Sequence, residues 1–348
     1  MNNARCRRLV DEAIKDLNLD LTGLTVLTEA ATGLFSLTAS IAALAGAERV
    51  MIIAKQSRYG SVDEAIEATL ALAEKWSCEQ SLQSVRSRSD SCLAEADIVT
   101  NLAGVRPIDA GIISRLNSNA VIPLMFETWE FRQEDIDLAA ARARQLMIMG
   151  TNENHPDVDV LSYLGPLAAK LLLQAEIEIH QAHLVVLGSG VFVEKIVRYL
   201  RLARAEVTQI EVKSDGGYSR ELMREVIKES DALLVVEHQC RTALFGADAP
   251  MLEQELYDLN PGLVIAHLAG NVDREIFRAV GFHLVPDYFA PPGYMSVSTA
   301  YAGPNPLIRL HAAGLKVGEI MARARRSEPS YPEAQAKAAQ HQLCQELP

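Results

Sequence analysis

The chain has 348 residues, which at roughly 150 residues per domain is the length of about two domains. With 49% hydrophobic and 22% charged residues and a mean hydropathy near zero, it is too apolar for disorder and too charged for a multi-spanning membrane protein. Its 33 Lys and Arg against 45 Asp and Glu give a net charge of −12, which opposes a nucleic-acid partner, since phosphate-backbone binding needs clustered cations.

In chain order, Arg5, Arg7 and Arg8 are followed by Asp11, Glu12, Lys15 and Asp16, so no signal peptide is read there. Residues 24–28 read as a strand. Residues 30–47 carry no charge over eighteen positions, near the length of a membrane span. Four hydroxyl side chains (Thr32, Ser36, Thr38, Ser40), two glycines and the strand just before them favour a helix buried on a sheet, with no membrane partner. Residues 49–54 are a second strand, and 61–76 a helix opened by a Ser/Asp start signal. Residues 97–101, 120–126 and 145–150 are three further strands. Gly165-Pro166 should kink the helix that follows or restart it, with proline in the first turn. The alternation then begins again, with strands at 183–187, 206–212, 232–236, 263–268 and 283–285 and helices at 191–204, 219–229 and 251–259. Residues 306–325 close the pattern as a long amphipathic helix, and the basic run Arg323 to Arg326 reads as its solvated end.

Short apolar strands separated by helices are the signature of parallel, doubly wound sheets. The expectation is two doubly wound α/β domains joined by hinge helices: residues 1–155, a linking helix at 156–180, a second domain at 181–305, and a C-terminal helix and tail at 306–348. A two-stranded hinge of this kind would leave a cleft able to enclose a ligand. The five cysteines are odd in number, scattered and free of any Cys-x-x-Cys spacing, which predicts reduced thiols and a cytoplasmic location.

The strongest chemical signal lies at 183–212, HLVVLGSGVFVEKIVRYLRLARAEVTQIEV. A strand ends in Gly188-Ser189-Gly190 and a helix starts at once, through Val191 and Phe192. The first glycine allows the tight turn. The second lets the backbone approach a pyrophosphate, whose charge suits the free N–H groups of a helix N-terminus. Glu211 follows Gly190 by twenty-one residues, where a carboxylate accepts hydrogen bonds from an adenosine ribose and favours NAD over NADP. Val193 stands where a third glycine is usual. A second turn, Gly270-Asn271-Val272-Asp273, follows a later strand on the same edge. Asn271 and Asp273 either cap the next helix or sit beside a nicotinamide. Residues 287–303, rich in Pro, Gly, Ser and Tyr, are either a cover for the cleft or a rigid surface connection.

These segments resemble the two-domain Rossmann superfamily of formate/glycerate dehydrogenases, D-2-hydroxyacid dehydrogenases and S-adenosylhomocysteine hydrolases. The stretch Gly270 to Ile276 is similar to the hydrolase pattern Gly-His-Phe-Asp-x-Glu-Ile, with Asn271 in place of its histidine and Asp273, Glu275 and Ile276 matching. Ala269 stands where the hydroxyacid dehydrogenases carry a substrate-binding arginine. The resemblance implies two Rossmann-like domains and a nicotinamide cofactor, and it leaves the reaction open. It also implies that the first domain holds the substrate.

Five polar loops follow the five apolar strands of that first domain, supplying Glu29, Lys55, Arg58, Asn101, Arg106, Glu127, Arg132 and Asn152. Arg58, Asn101, Arg106 and Arg132 in an acidic chain suggest contacts to a small anionic substrate such as a carboxylate; the alternative is surface cations paired with the abundant acids. His155, in the turn toward the linking helix, is the candidate for proton transfer, with Glu153 or Asp157 to orient it and Glu127 or Asp273 as substitutes. It serves equally well as a helix cap. His267, inside an apolar strand, reads as a satisfied core residue. No metal-ligand spacing occurs. Three readings follow: an NAD(H)-dependent oxidoreductase acting in the cleft, a hydrolase-like enzyme with tightly held NAD, and a non-catalytic nucleotide- or metabolite-binding protein. An apolar stripe at Leu310, Ala313, Leu315, Val317 and Ile320, which one small domain would not cover, predicts a homodimer.

Overall fold

The computed structural model describes residues 2–88 and 90–347. Its strands are β1 (Thr25–Glu29), β2 (Arg49–Ile53), β3 (Leu82–Ser84), β4 (Ile98–Val99), β5 (Val121–Pro123), β6 (Met147–Thr151), β7 (His183–Gly188), β8 (Glu206–Glu211), β9 (Ala232–Val236), β10 (Val264–Ala269), β11 (His283–Val285) and β12 (Cys344–Glu346). The helices begin with α1 (Asn3–Asp16), α2 (Leu37–Leu44), α3 (Val62–Lys75), α4 (Ala110–Ile113), α5 (Leu138–Ala143) and α6 (Leu164–Gln174). They continue with α7 (Gly190–Leu202), α8 (Arg220–Val226), α9 (Glu253–Leu259), α10 (Arg274–Val280), α11 (Pro304–Ser327) and α12 (Tyr331–Ala339). The chain divides into two compact units, the second being Val160–Gly303 and the first everything on either side of it. The C-terminal segment therefore belongs to the first unit, and the expected linking helix falls within the second.

In the first unit seven strands lie in the order β12-β6-β5-β4-β1-β2-β3. The six from β1 to β6 run parallel, and β12 pairs antiparallel with β6. β3 and β12 were not legible as strands: each is a three-residue edge piece, Leu-Gln-Ser and Cys-Gln-Glu, without a β-branched residue. α3 starts as its sequence predicts, in a capping box where the Ser61 Oγ accepts from the Glu64 N–H at 3.2 Å and the Glu64 carboxylate accepts from the Ser61 N–H at 2.7 Å. The uncharged stretch folds into a short turn and α2, six of whose eight residues are buried. Among the described residues no helix is long and apolar enough to cross a membrane.

α11 corrects one expectation. Ala313, Leu315 and Val317 are fully buried inside the first unit, and Leu310 and Ile320 are partly so. Gly314 and Gly318 let the helix lie directly on the sheet: a Cβ at Gly314 would stand 2.5 Å from the Met125 Sδ, and one at Gly318 2.8 Å from the Ile98 Cγ2. The stripe read as a dimer contact is core.

The second unit is a five-stranded parallel sheet in the order β11-β10-β9-β7-β8. Read from β8, the chain order steps from β8 back to β7 and then onward through β9, β10 and β11, so the direction of winding reverses at β7, between β7 and β9. Such a switch point opens a crevice at the carboxyl ends of the strands, the usual ligand position in open α/β sheets. α6 begins at Leu164 with Pro166 in its first turn, so the helix restarts there instead of kinking. One face of the sheet carries a core that includes Leu187, Val235, Phe245 and Phe277.

Candidate functional site

Gly188 ends β7 so close to β9 that a Cβ on it would lie 3.0 Å from the Val236 carbonyl carbon and 3.1 Å from the Glu237 nitrogen. Gly190 opens α7 at a φ of +65°, in the left-handed region that a β-branched residue resists. The Ser189 side chain does not cap the helix, and its Oγ instead donates to the Glu237 Oε2 at 2.7 Å. Ser189 thus gives this thirteen-residue helix no side-chain cap, and its N-terminus presents the positive end of its dipole. Glu211 is exposed and lies directly opposite Gly188 in the parallel register. The glycine turn, the N-terminus of α7 and Glu211 stand together at the switch point.

Behind this turn the fit is apolar. Phe192 and Val193 are buried at 1% and 0% exposure, with the Phe192 ring stacked on His238 at 4.0 Å. Phe192 is therefore a packing residue under the loop, and a valine replaces the third glycine without opening the helix from the sheet. His238 lies beneath Gly190, its Cε1 3.5 Å from the Cβ position, and burial pushes its pKa down to about 4. Asn271 is tied to the neighbouring loop, donating to the Arg241 carbonyl at 2.9 Å. Asp273 caps α10, its Oδ1 accepting from the N–H groups of Glu275 and Ile276 at 2.9 and 3.2 Å. His267 is the satisfied core residue its setting predicts, bonded to the Ser296 Oγ at 2.7 Å and the Gly270 carbonyl at 3.1 Å. It thereby fastens the 287–303 loop to β10.

The first unit gathers charge at the carboxyl edge of its own sheet. Glu29 ends β1 at 4% exposure and accepts from the Gly104 N–H at 3.0 Å; burial pushes its pKa up to about 7. Position 104 is tightly packed, since a Cβ would lie 2.7 Å from the Ile53 carbonyl oxygen and 2.8 Å from the Glu29 Cβ unless the loop shifted. Continuing the β1–β4 register places Asn101 beside Glu29, and the Thr100 and Thr28 hydroxyls just before them bond at 2.9 Å. Asn101 is fully buried: its Oδ1 accepts from the Met125 N–H at 2.8 Å, while its Nδ2 has no partner among the described residues.

Past β5, the Glu127 carboxylate accepts from the Trp129 indole at 3.0 Å and the Gln345 amide at 3.3 Å. Burial raises its pKa. Burial likewise pushes up Glu130 and Glu153, which repel each other and Glu127; the Arg132 guanidinium partly opposes this at Glu130. Such a group keeps its protons to higher pH than isolated carboxylates would.

The expected anion clamp is not assembled in this form. Arg106 pairs with Asp135 at 2.5 Å, and Arg132 shares the same carboxylate at 3.4 Å. Arg58 stays on an exposed loop, over the ring of its neighbour Tyr59 at 4.8 Å. His155 is oriented by Asp157 and not by Glu153: its Nδ1 accepts from the Asp157 N–H at 3.3 Å and lies 3.8 Å from the carboxylate. Asp135 and Glu130 were missed because nothing in their local spacing marks them, and Glu237 because a lone acid after a strand reads as a loop residue.

Neither a family model nor a curated protein matches the chain. Among solved structures it is similar to a dipicolinate synthase chain from Bacillus halodurans, at 10% identity over 89% of this chain and 100% of that one, with a TM-score of 0.55. It is similar also to the corresponding dipicolinate synthase chain from Bacillus subtilis, at 13% identity over 89% and 100%, with a TM-score of 0.56. A 2-hydroxyacid dehydrogenase from Ketogulonicigenium vulgare matches at 12% identity over 88% and 96%, with a TM-score of 0.47. The likeness to the two synthase chains establishes the fold, and the protein carries the two Rossmann-like α/β units that its sequence resemblance implies.

Proposed function

We propose that this protein is a nicotinamide-dinucleotide-dependent oxidoreductase acting on a small polar substrate. The observation that carries this is the turn at Gly188, Ser189 and Gly190, which enters the uncapped N-terminus of α7 at the switch point with Glu211 opposite. The residues fit the group: Gly188 and Gly190 give the backbone approach, the first N–H groups of α7 the anion site, and Glu211 the acceptor for a ribose diol. Glu211 favours NAD over NADP, because a 2′-phosphate beside it would meet like charge. Bound there, the dinucleotide supplies a ring able to take or give a hydride.

Hydride transfer to or from an alcohol or amine carbon also needs a proton acceptor or donor. We assign that work to the buried carboxylates Glu127, Glu130 and Glu153, whose pKa values burial raises, that of Glu130 to about 7. Asn101, with its buried, unpartnered amide nitrogen, is the candidate contact to a substrate oxygen. Because Arg106 and Arg132 are committed to Asp135, the reading needs no strongly anionic substrate. The two structures that share the fold are named for making a small molecule, which agrees with a small substrate. Calorimetric titration with NADH tests the reading: the protein binds it with one site per chain, and a flat titration at millimolar ligand contradicts the proposal.

A further inference from the structure

Glu237 stands just past β9, beside the glycine turn, and is 1% exposed. Its Oε2 accepts from the Ser189 Oγ at 2.7 Å, and its Oε1 accepts from the N–H groups of Gln239 and Cys240 at 2.8 Å each. All three donors are neutral. No cation pairs with it among the described residues, and its neighbour His238, held near a pKa of about 4 by burial, is neutral at physiological pH. The carboxylate is therefore an acceptor locked in place, one hydroxyl away from the turn that receives a pyrophosphate. The Ser189 proton points at Glu237, so that hydroxyl is not offered to a phosphate oxygen either.

Resting on the nucleotide reading above, we propose that Glu237 is a positioning residue that opposes the pyrophosphate charge. It fixes the loop through Ser189 while partly cancelling the positive end of α7. The consequence is a dinucleotide held loosely and exchanged as a co-substrate, which separates this chain from an enzyme that retains its cofactor through every turnover. The repulsion is local. It acts on the diphosphate and not on the adenosine portion, whose ribose is handled by Glu211 on the other flank of β7.

The test compares NADH, ADP-ribose and adenosine by calorimetry on the full chain. Glu237→Gln keeps an acceptor for the loop N–H groups and removes the charge. The expected result is that NADH and ADP-ribose bind about 10-fold tighter while adenosine is unchanged. Ser189→Ala, which strips a donor from the carboxylate and leaves its charge barer, weakens NADH and ADP-ribose about threefold, again sparing adenosine. A Glu237→Gln protein that binds all three ligands equally or more weakly than wild type shows a purely structural role and overturns the proposal. If wild type and both variants take adenosine but neither NADH nor ADP-ribose, the dinucleotide reading itself falls.

Discussion

The polar edges of the two sheets solve different problems with different material. In the second unit the recognition proposed above rests on backbone: two glycines, a helix N-terminus, and one exposed acid, all within residues 188–211. In the first unit the polar edge is built of side chains brought from Glu29, Asn101, Arg106, Glu127, Glu130, Asp135, Glu153 and Gln345, positions spread over nearly the whole chain. A backbone site tolerates packing changes behind it, as Phe192 and Val193 show, but not a Cβ in front. A side-chain site of buried acids is sensitive to protonation instead.

Substitution at the glycine turn should give the largest effect. Gly190→Val puts a β-branched residue at a left-handed φ and a side chain in the path of the pyrophosphate, and should weaken NADH binding about 10³-fold with the far-ultraviolet dichroism unchanged. The acid centre should answer to pH. With the Glu29 pKa raised from 4.5 to about 7, the folded state holds a proton that the unfolded chain releases earlier. The stability this gives is complete below the unfolded value and is lost as pH rises through about 7. The loss is about 2–4 kcal/mol. Glu29→Gln should remove that slope, unfolding in urea like wild type near pH 4 and at higher denaturant than wild type near pH 8.

Smaller still is Gly104→Ala, which must push the 101–107 loop off the Ile53 carbonyl and lengthen the Gly104–Glu29 bond, at about 1–3 kcal/mol of unfolding free energy and with no change in NADH affinity. Asp273→Ala should cost about 1 kcal/mol through the lost α10 cap and also leave NADH affinity unchanged; a loss of binding instead would bring Asp273 back beside the nucleotide.

How far the sequence could be read follows the same division. The glycine turn, Glu211 and all five strands of the second unit were legible because each signal is local: strand, turn and helix lie next to one another. The acid centre was only glimpsed, through Glu29, Asn101, Glu127 and Glu153, because the burial that raises its pKa values has no local signature in the sequence. The pairing of Arg106 and Arg132 was hidden as well, since their partner Asp135 carries no signature of its own. The α11 stripe looked like an unmet surface because nothing local shows that Gly314 and Gly318 seat the helix on the first sheet.

The central claim is that backbone at the end of β7 binds the dinucleotide, and backbone amide resonances of isotope-labelled protein report on it directly. During titration with NADH, the account predicts that the largest shifts fall on the amides of Ser189, Gly190, Val191 and Phe192, with Glu211 and Val212 next. Binding that leaves those amides in place and moves resonances elsewhere would contradict it.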